Sequence, residues 1–431
     1  MTTSWVAPTH PGADPQGADL QAAAQKAARL PGLCGRGKQF FAAGKVEAAK
    51  LLYETMLGAD PLSREAHAGL YYAYSALGDK HRAASHLGLA LDWPAILKLP
   101  YRGIPSDGID APVPVLLLLS MNSGNVLIQR FLNDRIFQTY VVLVESYDDA
   151  VSLPEHRLIV NGVGDADVRR EALLAAERVL TRSVAPVINP PHRVLATGRC
   201  NNAQRLGKIP GVLAPLSVAL ARERLMDPDA AHELLEQGFK FPLLVRAPGF
   251  HMGKNFVRVE SPGNLSASVS ELPGDSVIAM EYLDGCGRDG NIRKYRVLTI
   301  GGKLYPVHLA IAKQWKIHYF SADMADHCEH RAEESRFLGD MEGVLGPRVI
   351  KALEQVQETL GLDYAGIDFG LNTRGEVLLY EANATMAVYR PVAEAKWDYR
   401  RAAIGRIYAA VQALFLSRAN PACIDGALSN V

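Results

Sequence analysis

Asp368, Glu381 and Asn383 stand in two short segments, Tyr364 to Gly370 and Glu376 to Asn383, joined by Asn372-Thr373-Arg374-Gly375. The pattern predicts a β-hairpin with a carboxylate in each arm. With the turn centred between Thr373 and Arg374, Asp368 opposes Leu379 and Glu381 lies on the diagonal, so Asp368, Glu381 and Asn383 point to one face. Two carboxylates and an amide are hard oxygen donors. They suit Mg²⁺, which keeps other positions for water and nucleotide phosphates. The competing reading is two unrelated solvated acids, and the apolar character of the second arm argues against it, because unpaired burial is costly.

A second group lies upstream. Phe241 to Arg246 reads as a strand that runs into Ala247-Pro248-Gly249-Phe250-His251-Met252-Gly253-Lys254-Asn255-Phe256, with another strand over Val257 to Glu260. Gly249 and Gly253 let a backbone approach anionic oxygens, and Arg246 and Lys254 supply fixed charge for phosphates. An ordinary surface hairpin can also hold glycine and a cation. Ser276 to Tyr282 is an apolar strand ending in Glu281-Tyr282-Leu283-Asp284, the kind of hinge whose backbone pairs with an adenine edge while an acid reaches the ribose; a plain edge strand looks similar. Arg293-Lys294-Tyr295-Arg296 then opens a hairpin closed by Gly301-Gly302 and returning through Leu304 to Ile311 toward Lys313. Alternation puts Arg293 and Tyr295 on one face and Lys294 and Arg296 on the other. One arginine could face a phosphate; either could be a solvated strand charge.

These segments need a scaffold. The chain has 431 residues, more than one core usually serves, so two or three compact units are expected. With 48% hydrophobic and 21% charged residues it reads as globular, and 46 basic against 46 acidic residues give no positive field for nucleic acid. The longest apolar run, Val113 to Leu119, is far short of the roughly 20 residues that cross a bilayer. No basic-then-apolar signal opens the chain. The five cysteines (Cys34, Cys200, Cys286, Cys328, Cys423) are scattered without a CxxC pair, which favours reduced thiols and a cytoplasmic protein.

Residues 1–16 read as a disordered tail and 17–97 as helical. Gly44-Lys45-Val46-Glu47-Ala48-Ala49 recurs 34 residues on as Gly78-Asp79-Lys80-His81-Arg82-Ala83, with Phe40 answering to Tyr74. The segment resembles two tetratricopeptide repeats, although any alanine-rich pair of hairpins gives some of these matches. Two repeats leave faces such as Leu70, Tyr74 and Leu87 needing cover from a preceding helix (17–29), the rest of the chain or a second subunit in a homodimer. Residues 98–111 form a linker. From 112 to 210, strands over 113–120 and 137–145, helical runs over 125–132 and 166–182 and a short strand over 184–188 give an α/β domain with a parallel sheet. Asn122-Ser123-Gly124 is a structural turn in preference to a dinucleotide loop. Residues 211–420 hold the motifs above, and 421–431 form a tail.

With the glycine loop, the hinge and the metal hairpin in this order, the chain resembles the ATP-grasp superfamily of carboxylate–amine ligases over about residues 112 to 420. The implied fold class is α/β and α+β: tetratricopeptide hairpins, a small parallel α/β pre-ATP-grasp domain, then a two-lobed ATP-grasp domain. By this resemblance Asp368, Glu381 and Asn383 hold Mg²⁺, with two ions expected and Mn²⁺ able to substitute. Glu281, Tyr282 and Leu283 seat adenine, with Asp284 beside them, and Gly249, His251, Gly253 and Lys254 cap the phosphates. Arg199, before Ile209-Pro210-Gly211-Val212, and Arg246 stand where the family has lysines, and Lys313 also faces the nucleotide. Asn291-Ile292-Arg293 replaces the family's Asp-Ile-Arg, losing the acid. The implied reaction is phosphorylation of a substrate carboxylate by ATP and displacement of phosphate by an amine or other nucleophile. Arg293 or Arg296 holds the acyl-phosphate region. Trp315, Lys316, His318 and Tyr319 form the candidate substrate wall, with Trp315 and His318 equally open to packing roles. Two alternatives stay open: a peptide or protein as acceptor, docked by the repeats, and a non-catalytic scaffold that senses nucleotide. The bond formed, whether amide, ester or thioester, also stays open.

Overall fold

The computed structural model describes residues 30–59, 63–79, 82–83, 86–87, 90, 96–103, 111–121, 124–250 and 253–420. The expected tails, the helix at 17–29 and most of the linker lie outside them. The chain divides into two compact units, Met1–Pro94 and Ala95–Val431. No helix of the described residues is long and apolar enough to cross a membrane.

The first unit contains helices Leu30–Ala42, Val46–Ala59 and Arg64–Ala76. Gly44 closes the turn after the first and Gly78 the turn after the third, at φ 75° and 81°, a conformation that a side chain disfavours. Ser63 caps the third helix, its hydroxyl accepting from the Ala66 N–H at 3.4 Å. Small residues set the close helix approach: a Cβ on Gly69 would fall 2.4 Å from the Tyr53 ring. Tyr53, Met56, Leu70 and Tyr74 form one core with Ala49, Ala66 and Ala83. Leu70 and Tyr74, expected to need outside cover, are therefore covered within the unit.

The second unit begins with strand β1 (Ile96–Lys98), so the boundary falls at Pro94, three residues before the expected 97. β2 (Val113–Leu119), β3 (Phe137–Leu143), β4 (Leu158–Asn161) and β5 (Val187–Ile188) complete a sheet of order β1-β3-β2-β4-β5. Its pairings are parallel except for β1 against β3, which makes the sheet mixed where an all-parallel one was expected. The helical run expected over 125–132 is a 3-10 turn, Leu127–Phe131. The helix expected from 166 begins only at Arg170, because the Asp165 carboxylate accepts from the N–H groups of Asp167 and Val168 at 3.0 and 3.3 Å and holds a turn there.

β7 (Ser217–Ala221), β8 (Leu243–Arg246), β9 (Phe256–Val259) and β10 (Ser276–Glu281) form an antiparallel sheet of order β7-β10-β8-β9, with its own core around Leu234, Val245 and Val277. The last sheet has order β12-β11-β13-β14-β6, from β6 (Val212–Leu213), β11 (Ile292–Ile300), β12 (Lys303–Ala312), β13 (Tyr364–Leu371) and β14 (Val377–Asn383). Helix Met341–Leu360 buries Val349, Leu353 and Val356 in a core shared with Ile367 and Phe369 of β13. Helix Arg401–Ala419 ties the first sheet to the last, packing Ile407, Val411 and Phe415 with Phe137 and Tyr364. Each such buried side chain contributes about 1.5–3 kcal/mol.

The β13–β14 hairpin departs from the expected register twice. Leu371 pairs with Val377, so the turn is centred on Arg374, and a bulge after Asp368 makes Asp368 pair with Glu381 while Phe369 pairs with Leu379. Tyr380 is the extra residue. Either one-residue shift alone would turn the second arm over. Together they cancel, and Asp368, Glu381 and Asn383 share a face as expected, with Glu381 directly opposite Asp368 and not on the diagonal.

Candidate active site

Asp368 is fully buried in the middle of β13. Arg296, its register partner on β11, grips it through Nε to Oδ1 at 2.6 Å and Nη2 to Oδ2 at 2.8 Å, and Lys294 Nζ lies 2.7 Å from Oδ2. Burial disfavours the charged carboxylate, but Arg296 and Lys294 outweigh it and hold Asp368 well below the usual range. His308, paired with Arg296 in the β11–β12 register, is itself buried. Burial and the Arg296 charge keep its ring neutral, far below the ordinary histidine range.

Glu381 meets different cations. Arg199 Nη2 donates to its Oε1, and Asn383 Nδ2 donates to the same oxygen at 2.9 Å. Burial opposes the charge, yet Arg199 and Arg246 hold Glu381 down to about 2. Arg199 is placed by the first turn of helix Arg199–Leu206, whose leading N–H donates to Asp167 Oδ1 at 3.0 Å. Burial raises the Asp167 carboxyl and that hydrogen bond tempers the rise. Arg246 ends β8 and donates from Nη2 to Phe250 O at 2.6 Å, while its Nε is buried with no partner. Burial, then the neighbouring Arg199, push Arg246 down to about 10. A guanidinium that stays charged while one of its buried N–H groups lacks an acceptor is suited to an incoming anion.

The loop after β8 bends back through Gly249 and Gly253, at φ 78° and 70°. Lys316 Nζ supports it from below, donating to Gly253 O at 3.3 Å and Phe256 O at 3.1 Å. Lys254 is exposed; His251 lies outside the described residues. A cleft beside Arg199 runs between Pro215, Met280, Leu379 and Glu381. At the end of β10, Glu281 is tied to Leu216, its N–H donating to Leu216 O at 2.8 Å and its Oε2 accepting from Leu216 N at 3.3 Å. Asp284 Oδ1 accepts from Cys286 N at 3.0 Å, and the Tyr282 ring lies under the Arg258 guanidinium at 4.4 Å. Leu283 follows Tyr282 in the open segment beyond the strand, and Lys313 stands exposed just past β12.

Of the two arginines proposed from sequence, only Arg296 faces the carboxylates. Arg293 points to the opposite face, held by Glu333 (Nε to Oε1, 2.6 Å) and Asp289 (Nη2 to Oδ2, 2.9 Å), as the strand alternation requires. The expected substrate wall is divided. Trp315 packs edge-on against Phe256 and Tyr282, on the side of the loop and hinge. His318 is half-buried near Lys294, and burial lowers its ring below the ordinary range, helped by that charge. Tyr319 is buried, its ring on His308 and its hydroxyl donating to Glu334 at 3.0 Å, so it braces the wall.

Sequence reading passed over Lys294, Asp167, His308 and Glu334, and it set Lys316 on the substrate wall where the structure puts it under the glycine loop. For Lys294 the signal was present, since alternation already set it beside Arg296. Asp167 lies in the turn ahead of helix Arg170–Leu180 and Glu334 inside helix Cys328–Gly339, and only the fold brings them in.

Solved ATP-grasp ligases are its structural neighbours. The chain is similar to the VanG D-Ala:D-Ser ligase of Enterococcus faecalis (13% identity, 72% of this chain and 100% of that chain, TM-score 0.44) and to the D-alanine-D-alanine ligase of Coxiella burnetii (11%, 72% and 95%, TM-score 0.47). It is also similar to the ATP-grasp ligase PsnB complexed with precursor peptide PsnA2 and AMPPNP (16%, 70% and 98%, TM-score 0.40). No family model matches the sequence, and no curated protein matches it. At these identities and TM-scores function has to be read from the site.

The donor set fits a hard divalent cation. Glu381 and Asn383 stand at alternate positions of β14, and Asp368 lies opposite on β13. Asn383 turns its Nδ2 to Glu381 and its Oδ1 to the Thr385 N–H and hydroxyl at 2.9 and 2.7 Å, so its oxygen joins such a set only as the amide turns over. Both Asp368 oxygens are engaged by Arg296 and Lys294, so Asp368 joins such a set only as one of those cations turns away.

Proposed function

We propose that this chain is an ATP-dependent carboxylate–amine ligase of the ATP-grasp type. The observation that carries the reading is the cross-strand pair Asp368–Glu381, with Asn383 on the same face, ringed by cations from three further elements: Arg296 and Lys294 of β11, Arg199 of a helix start and Arg246 of β8.

In this reading the polyphosphate lies along Arg199 and Arg246, under the loop of Gly249, Gly253 and Lys254, with Lys313 at the rim. Adenine occupies the cleft bordered by Met280 and Leu379 and meets the backbone of Glu281, Tyr282 and Leu283, with Asp284 toward the ribose. Glu381, Asn383 and Asp368 would hold Mg²⁺, which supplies charge neutralisation for phosphoryl transfer. Arg296 and Lys294 bind the substrate carboxylate and then steady the acyl phosphate as an amine displaces phosphate. His318 borders the same space, and neutral His308 beside Arg296 adds no charge that would repel the cations. Arg293 is released from the catalytic role, and Trp315 and Tyr319 serve as packing that shapes the walls. The front unit, with two turns closed by glycines in the 34-residue spacing, is proposed to be a pair of tetratricopeptide-like hairpins.

Incubation of the full chain with ATP, Mg²⁺ and pooled carboxylates and amines is expected to release ADP for at least one pool, with Glu381→Gln inactive on it. ADP release by Glu381→Gln at the native rate would remove the assignment.

A further inference from the structure

A second cluster of ligating side chains opens helix Cys328–Gly339, apart from the carboxylate hairpin. His327, Glu329 and His330 each offer one ligand atom, and these atoms lie within 4.8 Å of one another. His327 Nδ1 is 2.7 Å from Glu329 Oε1, and the His327 and His330 rings stack with centroids 4.6 Å apart and planes at 29°. The sulfur of Cys328 lies 3.6 Å from Glu329 Oε2.

What separates this cluster from a chance grouping on a helix start is His330. The residue is only 8% exposed, and its Nδ1 is buried without a hydrogen-bond partner. A buried ring nitrogen with nothing to bind opposes folding and calls for a ligand. His327 and Glu329 are both exposed, so an ion can reach the cluster from solvent.

We propose that His327, Glu329 and His330 form a site for a late first-row divalent metal, with zinc the best fit. Two imidazoles and one carboxylate are the set that holds zinc with one position open, and nitrogen donors select against Mg²⁺. The ion replaces the proton shared between His327 and Glu329; Cys328 or water fills the fourth position. The site is distinct in place and in donor chemistry from the oxygen set on β13 and β14, and it does not depend on the ligase reading. Its consequence lies on the same helix. Glu333 pairs with Arg293, and Glu334 accepts from the hydroxyls of Tyr319 and Tyr399. A metal at the first turn fixes the helix that holds both.

The test is titration of the metal-free full chain with Zn²⁺ in excess Mg²⁺ by calorimetry, with Co²⁺ in parallel by visible spectroscopy. One ion per chain is expected, with the Co²⁺ spectrum of a nitrogen-containing low-coordinate site and a Zn²⁺-dependent rise in melting temperature. His327→Gln and Glu329→Gln alter exposed side chains and keep the fold; each is expected to weaken Zn²⁺ at least tenfold. His330→Gln tests the buried ligand. Native affinity in both exposed variants, or no stoichiometric binding by the native chain, overturns the proposal. Binding lost in Asp368→Asn but kept in His327→Gln places the ion on the hairpin and overturns it equally.

Discussion

Strand β11 carries an arginine–carboxylate pair on each face, and the two are built in opposite ways. Arg296 shares a fully buried carboxylate with a second cation, Lys294. Arg293 is a single cation between two acids, Asp289 and Glu333, on a half-exposed face. The second arrangement is economical, tying the loop before β11 to a neighbouring helix. The first is not: one acid needs one partner, and drawing a second, partly buried cation beside a fully buried carboxylate costs desolvation that stability alone does not repay. The proposed function accounts for that surplus charge by an incoming anion.

Removing the carboxylate is the hardest test of that contrast. Asp368→Asn leaves the partly buried Arg296 and Lys294 without their fully buried counter-charge, and urea unfolding is expected to show a loss of up to about 3–5 kcal/mol. Glu333→Gln on the other face should cost no more than about 1 kcal/mol, as a screened pair does. Equal losses would mean that the faces do not differ in kind.

Next in size is activity. Arg296→Ala should lower kcat/KM by roughly 10²–10³-fold, the scale of a lost transition-state charge contact, and Arg293→Ala should change it by less than about threefold given a surface tether of this kind. The reverse order would return the catalytic role to Arg293.

The sequence set the fork and could not choose its branch. Alternation along Arg293-Lys294-Tyr295-Arg296 separates the faces, but nothing local says which one β13 presents its acid to; that is decided by the pairing of Arg296 with Asp368. The carboxylate hairpin was legible because Asp368, Glu381 and Asn383 stand in arms of period two around a glycine turn. The bulge at Asp368 was not, since an extra residue leaves no mark in the pattern. Asp167 and Glu334 were hidden for a different reason, being polar residues whose partners lie on distant elements. In the front unit the glycine spacing found the turns, while the cover of Leu70 and Tyr74 depended on how tightly the helices approach.

A smaller effect follows from His308. Its folded pKa lies well below that of a free imidazole, so the unfolded chain takes up a proton first. Its contribution is present above about pH 6.5 and is lost as pH falls, by up to about 1.4 kcal/mol per unit. Thermal melts between pH 5 and 8 should show this slope, flattened in His308→Gln; an unchanged slope would place the effect elsewhere. The smallest expected change is in Gly253→Val, where φ of 70° and a Cβ position 3.1 Å from the Lys316 chain disfavour any side chain. The KM for ATP should rise severalfold with kcat little altered, and an unchanged KM would remove the loop from the phosphate site.

Calorimetric titration with a non-hydrolysable ATP analogue, with and without Mg²⁺, addresses the β13–β14 face without knowledge of either substrate. The native chain is expected to bind one analogue per chain, at least tenfold tighter with Mg²⁺. In Glu381→Gln the Mg²⁺ dependence should vanish while weak binding to Arg199 and Arg246 persists. Full Mg²⁺ dependence in that variant, or no binding by the native chain, would contradict the account.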